Sequence, residues 1–371
     1  MSNQTTILVY AISCRSGGGY SVLCDFYDEA KRKAEQYPDV RWVFLLSTQE
    51  LEPAENIEVI RDPGAIRSWL HRAIYNAYTV RRIAKDKHAA ALVSLQNMAP
   101  RYSSVPNLIS LHNVLPLYRC DKTVLDSAKL RAKQALVNMM IRSSLRKAYA
   151  VFIPSRWIKE ALIDRVGVDS DRIYIDPLVI TVDPSGLALT GEMVGNEAVF
   201  FYPAAAFPYK NHAVIVAACK LLKARGIGNY KVLFTFAPDE NKTTQALYCE
   251  AQKTGLPIEF VGALPREGVL ALYRKSVLLF PSRIETDAMP LLECAAMGGH
   301  IVCADLPYAR EALEGYGAND FFGQGDAEAL SNIMERVVKN GPKRSEKAFV
   351  REPREKKTRL DHIVRLVQKI S

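Results

Sequence analysis

Short apolar, β-branched or aromatic runs alternate with helix-length amphipathic stretches along the whole chain, as repeated β-α units require. In the first half the pattern predicts strands over Thr6–Ser13, Trp42–Ser47, Ile57–Ile60, Ala91–Leu95, Leu108–His112 and Ala150–Pro154. Helical periodicity covers Tyr20–Gln36 and Ala65–Asp86. In the second half strands are expected over Val199–Tyr202, Lys231–Phe236, Ile258–Val261, Val277–Phe280, His300–Ala304 and Asp320–Phe322, with helices over His212–Arg225 and Leu291–Met297. Strands joined by helical crossovers form parallel sheets, so the expected class is α/β.

Residues 176–196 concentrate Pro, Gly, Asp and Ser without helical periodicity and read as a linker. The expected layout is a Rossmann-like domain over 1–180, a second over 181–350, and a tail, 351–371, whose amphipathic stretch Thr358–Ile370 packs back on the first domain. Two doubly wound sheets would hold ligands at the carboxyl ends of their strands, in a cleft between them.

With 371 residues, 49% of them apolar and 24% charged, the chain can fill two hydrophobic cores. The net charge of +9 is uneven: residues 1–180 hold 25 Lys and Arg against 18 Asp and Glu, residues 181–371 hold 24 against 22. A basic first half suits an anionic membrane surface, a phosphorylated substrate or nucleic acid. Nucleic acid is disfavoured, since no zinc finger, RNP-type aromatic motif or basic zipper is present. The start lacks a secretory leader, no apolar run reaches the roughly 20 residues of a membrane span, and the seven cysteines form no Cys-x-x-Cys pair. A cytoplasmic protein is expected, soluble or peripheral at the inner face of the membrane, with no structural metal.

The candidate chemistry lies mainly after the strand ending FPS. In RIETDAMPLLECAAMG, Pro290 suits the first turn of a helix and Gly298 its end. A helix starting near Met289 would point the amides of Ala288 to Leu292 at an anion, as a diphosphate site needs. Glu293 falls in the first turn, where its carboxylate could accept ribose hydroxyls, and Glu285 precedes the helix in the loop. Taken singly, Glu293 reads better as a residue that complements the helix dipole, and Glu285 as a solvated loop residue. Lys210, near a helix start after an apolar strand, could offset charge on a leaving phosphate. Gly17-Gly18-Gly19 follows the first strand and would let a phosphate or sugar approach the backbone. It is not Gly-x-Gly-x-x-Gly, and no acidic residue follows at ribose distance, which argues against a dinucleotide dehydrogenase.

The segment FPSRIETDAMPLLECAAMGGHIVCADLPYARE closely resembles the Glu-x7-Glu segment of family 4 retaining glycosyltransferases of the GT-B fold, and the rest of the chain is similar more weakly. The resemblance implies two Rossmann-like domains and a metal-independent, retaining hexosyl transfer from a UDP- or GDP-sugar. It implies that Glu293 holds the donor ribose and that Glu285 meets the sugar. In FPYKNH, Lys210 matches the lysine on the donor phosphates; in LHNVLPLY, His112 matches a histidine facing the transferred sugar. Gly18, Gly19, Gly262, Leu264, Ala288, Met289, Pro290 and Leu291 match positions lining the donor, and Gln96 and Asn97 the acceptor side. The chain departs from the family in Asp287-Ala288, where Phe-Gly is usual, and in Ala204 to Ala206, which supply no arginine; Arg283 is a candidate substitute. No metal-binding Asp-x-Asp motif, metal or cofactor is assigned. Phrases such as LHNVLPLY resemble bacterial surface-polysaccharide transferases, which implies a glycan or lipid-linked saccharide acceptor in addition to the nucleotide-sugar donor. An epimerase or phosphorylase of the same fold, and a non-catalytic assembly protein on this scaffold, are the competing readings.

Overall fold

A computed structural model describes residues 4–100, 103–119, 125, 127–177, 197–345, 349 and 358–370. The chain forms two compact units, one of residues 1–118, 134–177 and 353–371, the other of residues 119–133 and 178–352. Most of the expected linker, from residue 178 on, lies outside the described residues. Asp176 belongs to the first unit, where its amide donates to the Ile153 carbonyl at 2.7 Å.

The first unit carries the strands β1 (Thr5–Tyr10), β2 (Val40–Leu46), β3 (Ile57–Arg61), β4 (Ala89–Ser94), β5 (Asn107–Ser110), β6 (Ala150–Ile153) and β7 (Ile173–Ile175). They form one parallel sheet in the order β3-β2-β1-β4-β5-β6-β7. Both faces are covered, and β1 shows why its run is continuously apolar. Ile7 and Val9 point into a core with Phe26 of α1 (Gly17–Arg32), Trp42 and Phe44. Leu8 and Tyr10, one residue out of phase, join Tyr75, Val80 and Ala84 on the other face. The latter three come from a helical run in which α2 (Trp69–Ile74) passes through a π-helical turn, Tyr75–Thr79, into α3 (Val80–Asp86). The helix expected over 65–86 therefore starts later, after a 3₁₀ turn at Pro63–Ile66.

Two more helices, α4 (Ala128–Lys147) and α5 (Arg156–Val166), follow in sequence. The C-terminal helix, Arg359–Gln368, completes the first core with Leu360, Ile363, Val364 and Val367. A capping box formed by Thr358 and Asp361 starts it.

The second unit has β8 (Ala198–Tyr202), β9 (Tyr230–Phe234), β10 (Ile258–Phe260), β11 (Val277–Phe280), β12 (His300–Ala304) and β13 (Asn319–Phe322), parallel in the order β10-β9-β8-β11-β12-β13. Its helices are α6 (His212–Ala224), α7 (Lys242–Thr254), α8 (Arg266–Lys275), α9 (Met289–Ala296), α10 (Pro307–Ala312) and α11 (Ala327–Asn340). In each unit the strand order reverses once, between β1 and β4 in the first and between β8 and β11 in the second. Such a reversal point, at the carboxyl ends of the strands, is where sheets of this kind bind ligands.

Candidate active site

At the switch point of the second unit, the loop after β8 carries Lys210 and the loop after β11 carries Glu285. Lys210 Nζ lies 2.6 Å from Glu285 Oε1, both side chains being part-buried. The lysine turn is held from three sides. Tyr202 Oη donates to the Lys210 carbonyl at 3.0 Å, Arg283 donates from Nη2 to Asn211 Oδ1 at 3.0 Å, and the Arg283 amide donates to the Tyr209 carbonyl at 2.8 Å. Arg283 thus braces the loop that presents Lys210. Beside it, Phe207 and Tyr209 stack with their planes 3° apart, and Lys210 Nζ sits 5.6 Å from the Tyr209 ring.

Eight residues beyond Glu285, Glu293 is buried on α9. Arg266 Nη2, at the first position of α8, lies 2.8 Å from Glu293 Oε1, and Tyr273 Oη donates to Oε2 at 3.4 Å. Burial pushes the Glu293 carboxyl up from its ordinary pKa, while Arg266 and Tyr273 pull it down. The pair is a buried carboxylate with an exposed arginine on it.

The start of α9 differs from the expected fan of free amides. Pro290 has no N–H, and the Leu291 amide donates to the Ala288 carbonyl at 2.8 Å. The amides of Ala288 and Met289 stand ahead of the first intrahelical bond. Ala288 adopts φ 46° and ψ 49°, the left-handed region that disfavours a Cβ. The chain adopts this conformation at an alanine, where a glycine would carry no such strain. Asp287 is part-buried in the same loop. Gly262, at φ 73°, makes the turn before α8 and is followed by part-buried Leu264.

In the first unit, the loops after β1 and β4 meet in the same manner. The Ser13 amide donates to Gln96 Oε1 at 2.9 Å, and Arg72 Nη2 of α2 donates to Ser13 Oγ at 2.5 Å. The three glycines are not a loop ahead of the helix but the first turn of α1, entered from Ser16. Gly17, at φ 59°, needs the absence of a side chain, and a Cβ on Gly17 or Gly18 would meet nothing within 4 Å.

His112 follows β5. Its amide and that of Asn113 both donate to Asn97 Oδ1, at 2.7 and 2.9 Å, with Asn97 itself left-handed at φ 68°. Its Nε2 lies 3.5 Å from Arg359 Nη1, and Arg359 also donates to Ser110 Oγ at 2.7 Å. Burial, with the Arg359 charge second, pushes the His112 pKa down to about 3, so the imidazole is neutral.

Sequence reasoning missed Arg266, Tyr273, Arg72 and Arg359. None belongs to a motif: Arg266 and Tyr273 reach Glu293 in the second unit, and Arg72 and Arg359 reach Ser13 and His112 in the first. It also overlooked an Asp-x-Asp triplet, Asp169-Ser170-Asp171. The triplet forms the 3₁₀ turn that leads into β7, at the end of the sheet opposite the switch point, and Asp169 is ion-paired with Arg172. Among the described residues no three His, Cys, Asp or Glu side chains are grouped to hold a metal ion.

Residues 192–352 match the model of the family described as glycosyl transferases group 1. No curated protein sequence matches the chain. Sucrose-phosphate synthase from Thermosynechococcus elongatus is a similar solved structure, 14% identical, covering 91% of this chain and 90% of its own, at a TM-score of 0.63. The Anabaena protein HepE, solved in complex with UDP and glucose, is 16% identical over 91% of this chain and 90% of its own, at a TM-score of 0.60. The lipopolysaccharide outer core galactosyltransferase WaaB is 14% identical over 92% of both chains, at a TM-score of 0.63. These similarities show the fold.

Proposed function

We propose, from the premise that residues 192–352 belong to the group 1 glycosyl transferases and that the chain has the GT-B fold, that this protein moves a hexose from a nucleotide sugar to a glycan acceptor with retention of configuration. The observation that carries the reading is the 2.6 Å Lys210–Glu285 pair at the switch point of the second unit, with Glu293 buried on the helix that follows.

In this reading the ribose hydroxyls donate to Glu293, taking the place of Arg266 and Tyr273. The diphosphate approaches the amides of Ala288 and Met289, and the Lys210 ammonium offsets the charge that builds on the leaving phosphate. Glu285 orients Lys210 and accepts from a sugar hydroxyl. The neutral His112 imidazole orients another, since a neutral ring can accept as well as donate. The acceptor hydroxyl attacks on the face from which the nucleotide leaves, and the departing phosphate oxygen takes its proton. No metal is required in this scheme. The donor is a UDP-sugar, by analogy with the complex of HepE with UDP and glucose, and the acceptor is a lipid-linked saccharide presented at an anionic membrane surface.

Calorimetric titration of UDP into the wild type and Glu293→Ala tests the reading. The loss of charge-assisted hydrogen bonds to ribose weakens UDP by roughly tenfold or more. Equal affinity in the two proteins, or no nucleotide binding by the wild type, removes Glu293 from the site.

A further inference from the structure

The helical run from Trp69 to Asp86 is apolar on both sides. Tyr75, Val80 and Ala84 pack into the first unit's core, as a surface helix requires. On the outside, where polar residues belong, stand Trp69 at 79% exposure, Leu70 at 60%, Ile74 at 48% and Tyr78 at 73%. Leu70, Ile74 and Tyr78 succeed one another at intervals of four, so they form one stripe. Arg67, His71, Arg81, Arg82 and Lys85 are exposed along the same run, and residues 64–85 contain no Asp or Glu. Among the described residues, Arg82 is paired with Asp86 at 4.0 Å, and Arg67, Arg81 and Lys85 supply the remaining exposed positive charge.

We infer that this face is a docking surface for an anionic phospholipid bilayer. Charge complementarity commits it to that occupant. An aromatic and aliphatic stripe flanked by cations, with no acid within residues 64–85, enters the headgroup boundary with its apolar side chains while the cations meet lipid phosphates. No helix among the described residues is long and apolar enough to cross a membrane, so the contact is interfacial. The same helix sends Arg72 inward to Ser13, in the loop after β1. The docking face therefore lies on the element that reaches the first unit's switch point. The inference rests on the reading of a membrane-borne acceptor for its purpose, but its test does not depend on transfer.

Trp69 supplies the reporter, because the other two tryptophans, Trp42 and Trp157, are buried. The full chain is floated with vesicles of phosphatidylcholine alone and of phosphatidylcholine with phosphatidylglycerol, and Trp69 emission is followed with brominated acyl chains. Expected are flotation with the anionic vesicles, quenching of Trp69, and a loss on the order of tenfold in vesicle affinity for the double variant Leu70→Ser, Ile74→Ser. Salt should weaken the wild type, because the cationic part is screened. UDP titration of the same samples reports the second unit independently. If UDP binds while the wild type fails to float, or floats no better than the double variant, the docking surface is refuted and the transferase reading stands. Sedimentation velocity covers the remaining case: self-association that the double variant abolishes, without flotation, would assign the stripe to a second copy of the chain and overturn the proposal.

Discussion

At the scale of residues, the site relies on conformations and charges that are individually unfavourable. Ala288 holds a left-handed backbone at a cost of about 1–2 kcal/mol, partly offset by the lower chain entropy of alanine than glycine when unfolded. Ala288→Gly should therefore stabilise the protein by roughly 0.5–1 kcal/mol in chemical denaturation. A destabilised variant would mean that the Ala288 side chain contributes packing that outweighs its backbone strain. Arg266 acts on charge instead. It lowers a Glu293 pKa that burial raises, so Arg266→Ala should let Glu293 protonate at higher pH. Nucleotide affinity, which needs the ionised carboxylate, should then begin to fall at a higher pH than in the wild type as the solution is acidified. Titrations across that range check this, and an acid limb unmoved by the substitution would show that Glu293 does not control binding.

At the scale of elements, the C-terminal helix is structural for the unit that the N-terminus begins. Leu360 is fully buried with Phe26 and Trp42 in one core, and Asp361 accepts from Lys33 Nζ and Tyr37 Oη at 2.7 Å each. Leu360→Ala should cost about 2–5 kcal/mol of the first unit's stability in urea, with UDP affinity retained by the second unit. A tighter constraint governs the α9–β12 turn, where a Cβ on Gly299 would fall 2.6 Å from both Cys294 Sγ and the Tyr273 carbonyl. The strands were legible because a parallel sheet covered on both faces demands unbroken apolar runs; β11 and β12 have the expected bounds, and others differ by a few residues at their ends. β7, an edge strand of three residues, was not among the expected strands. The π-helical turn at 75–79 escaped because its cause is tertiary: Tyr75 and Val80, five apart, both reach the core.

At the scale of the whole molecule, acid should act through buried histidines of both units, His112 in the first and His212 and His300 in the second. Burial pushes His212 down to about 3 and His300 to about 4, in the latter against the Asp320 carboxylate at 2.8 Å. Both are neutral when folded and titrate near 6.5 when unfolded, so below pH 6.5 the unfolded chain binds more protons. Their contribution is complete above that pH and is lost on acidification, by about 2 kcal/mol each between pH 7 and pH 5. Urea midpoints measured at the two values should fall accordingly, and His300→Gln should flatten part of the slope. The sequence by itself determined the parallel α/β class and the helix start around Pro290, because these rest on local periodicity and chain stereochemistry. It also marked Glu285, Glu293 and Lys210 as candidates, through the resemblance of the segments that carry them to a transferase family. Only the tertiary structure decided which groups meet. It paired Lys210 with Glu285 across 75 residues and laid Arg266 on Glu293. It also brought Arg359 to His112 across 247 residues, and left an apolar stripe at 69–78 facing outward. Distances across a sheet depend on strand order, and strand order is a property of the packed chain that no local pattern encodes.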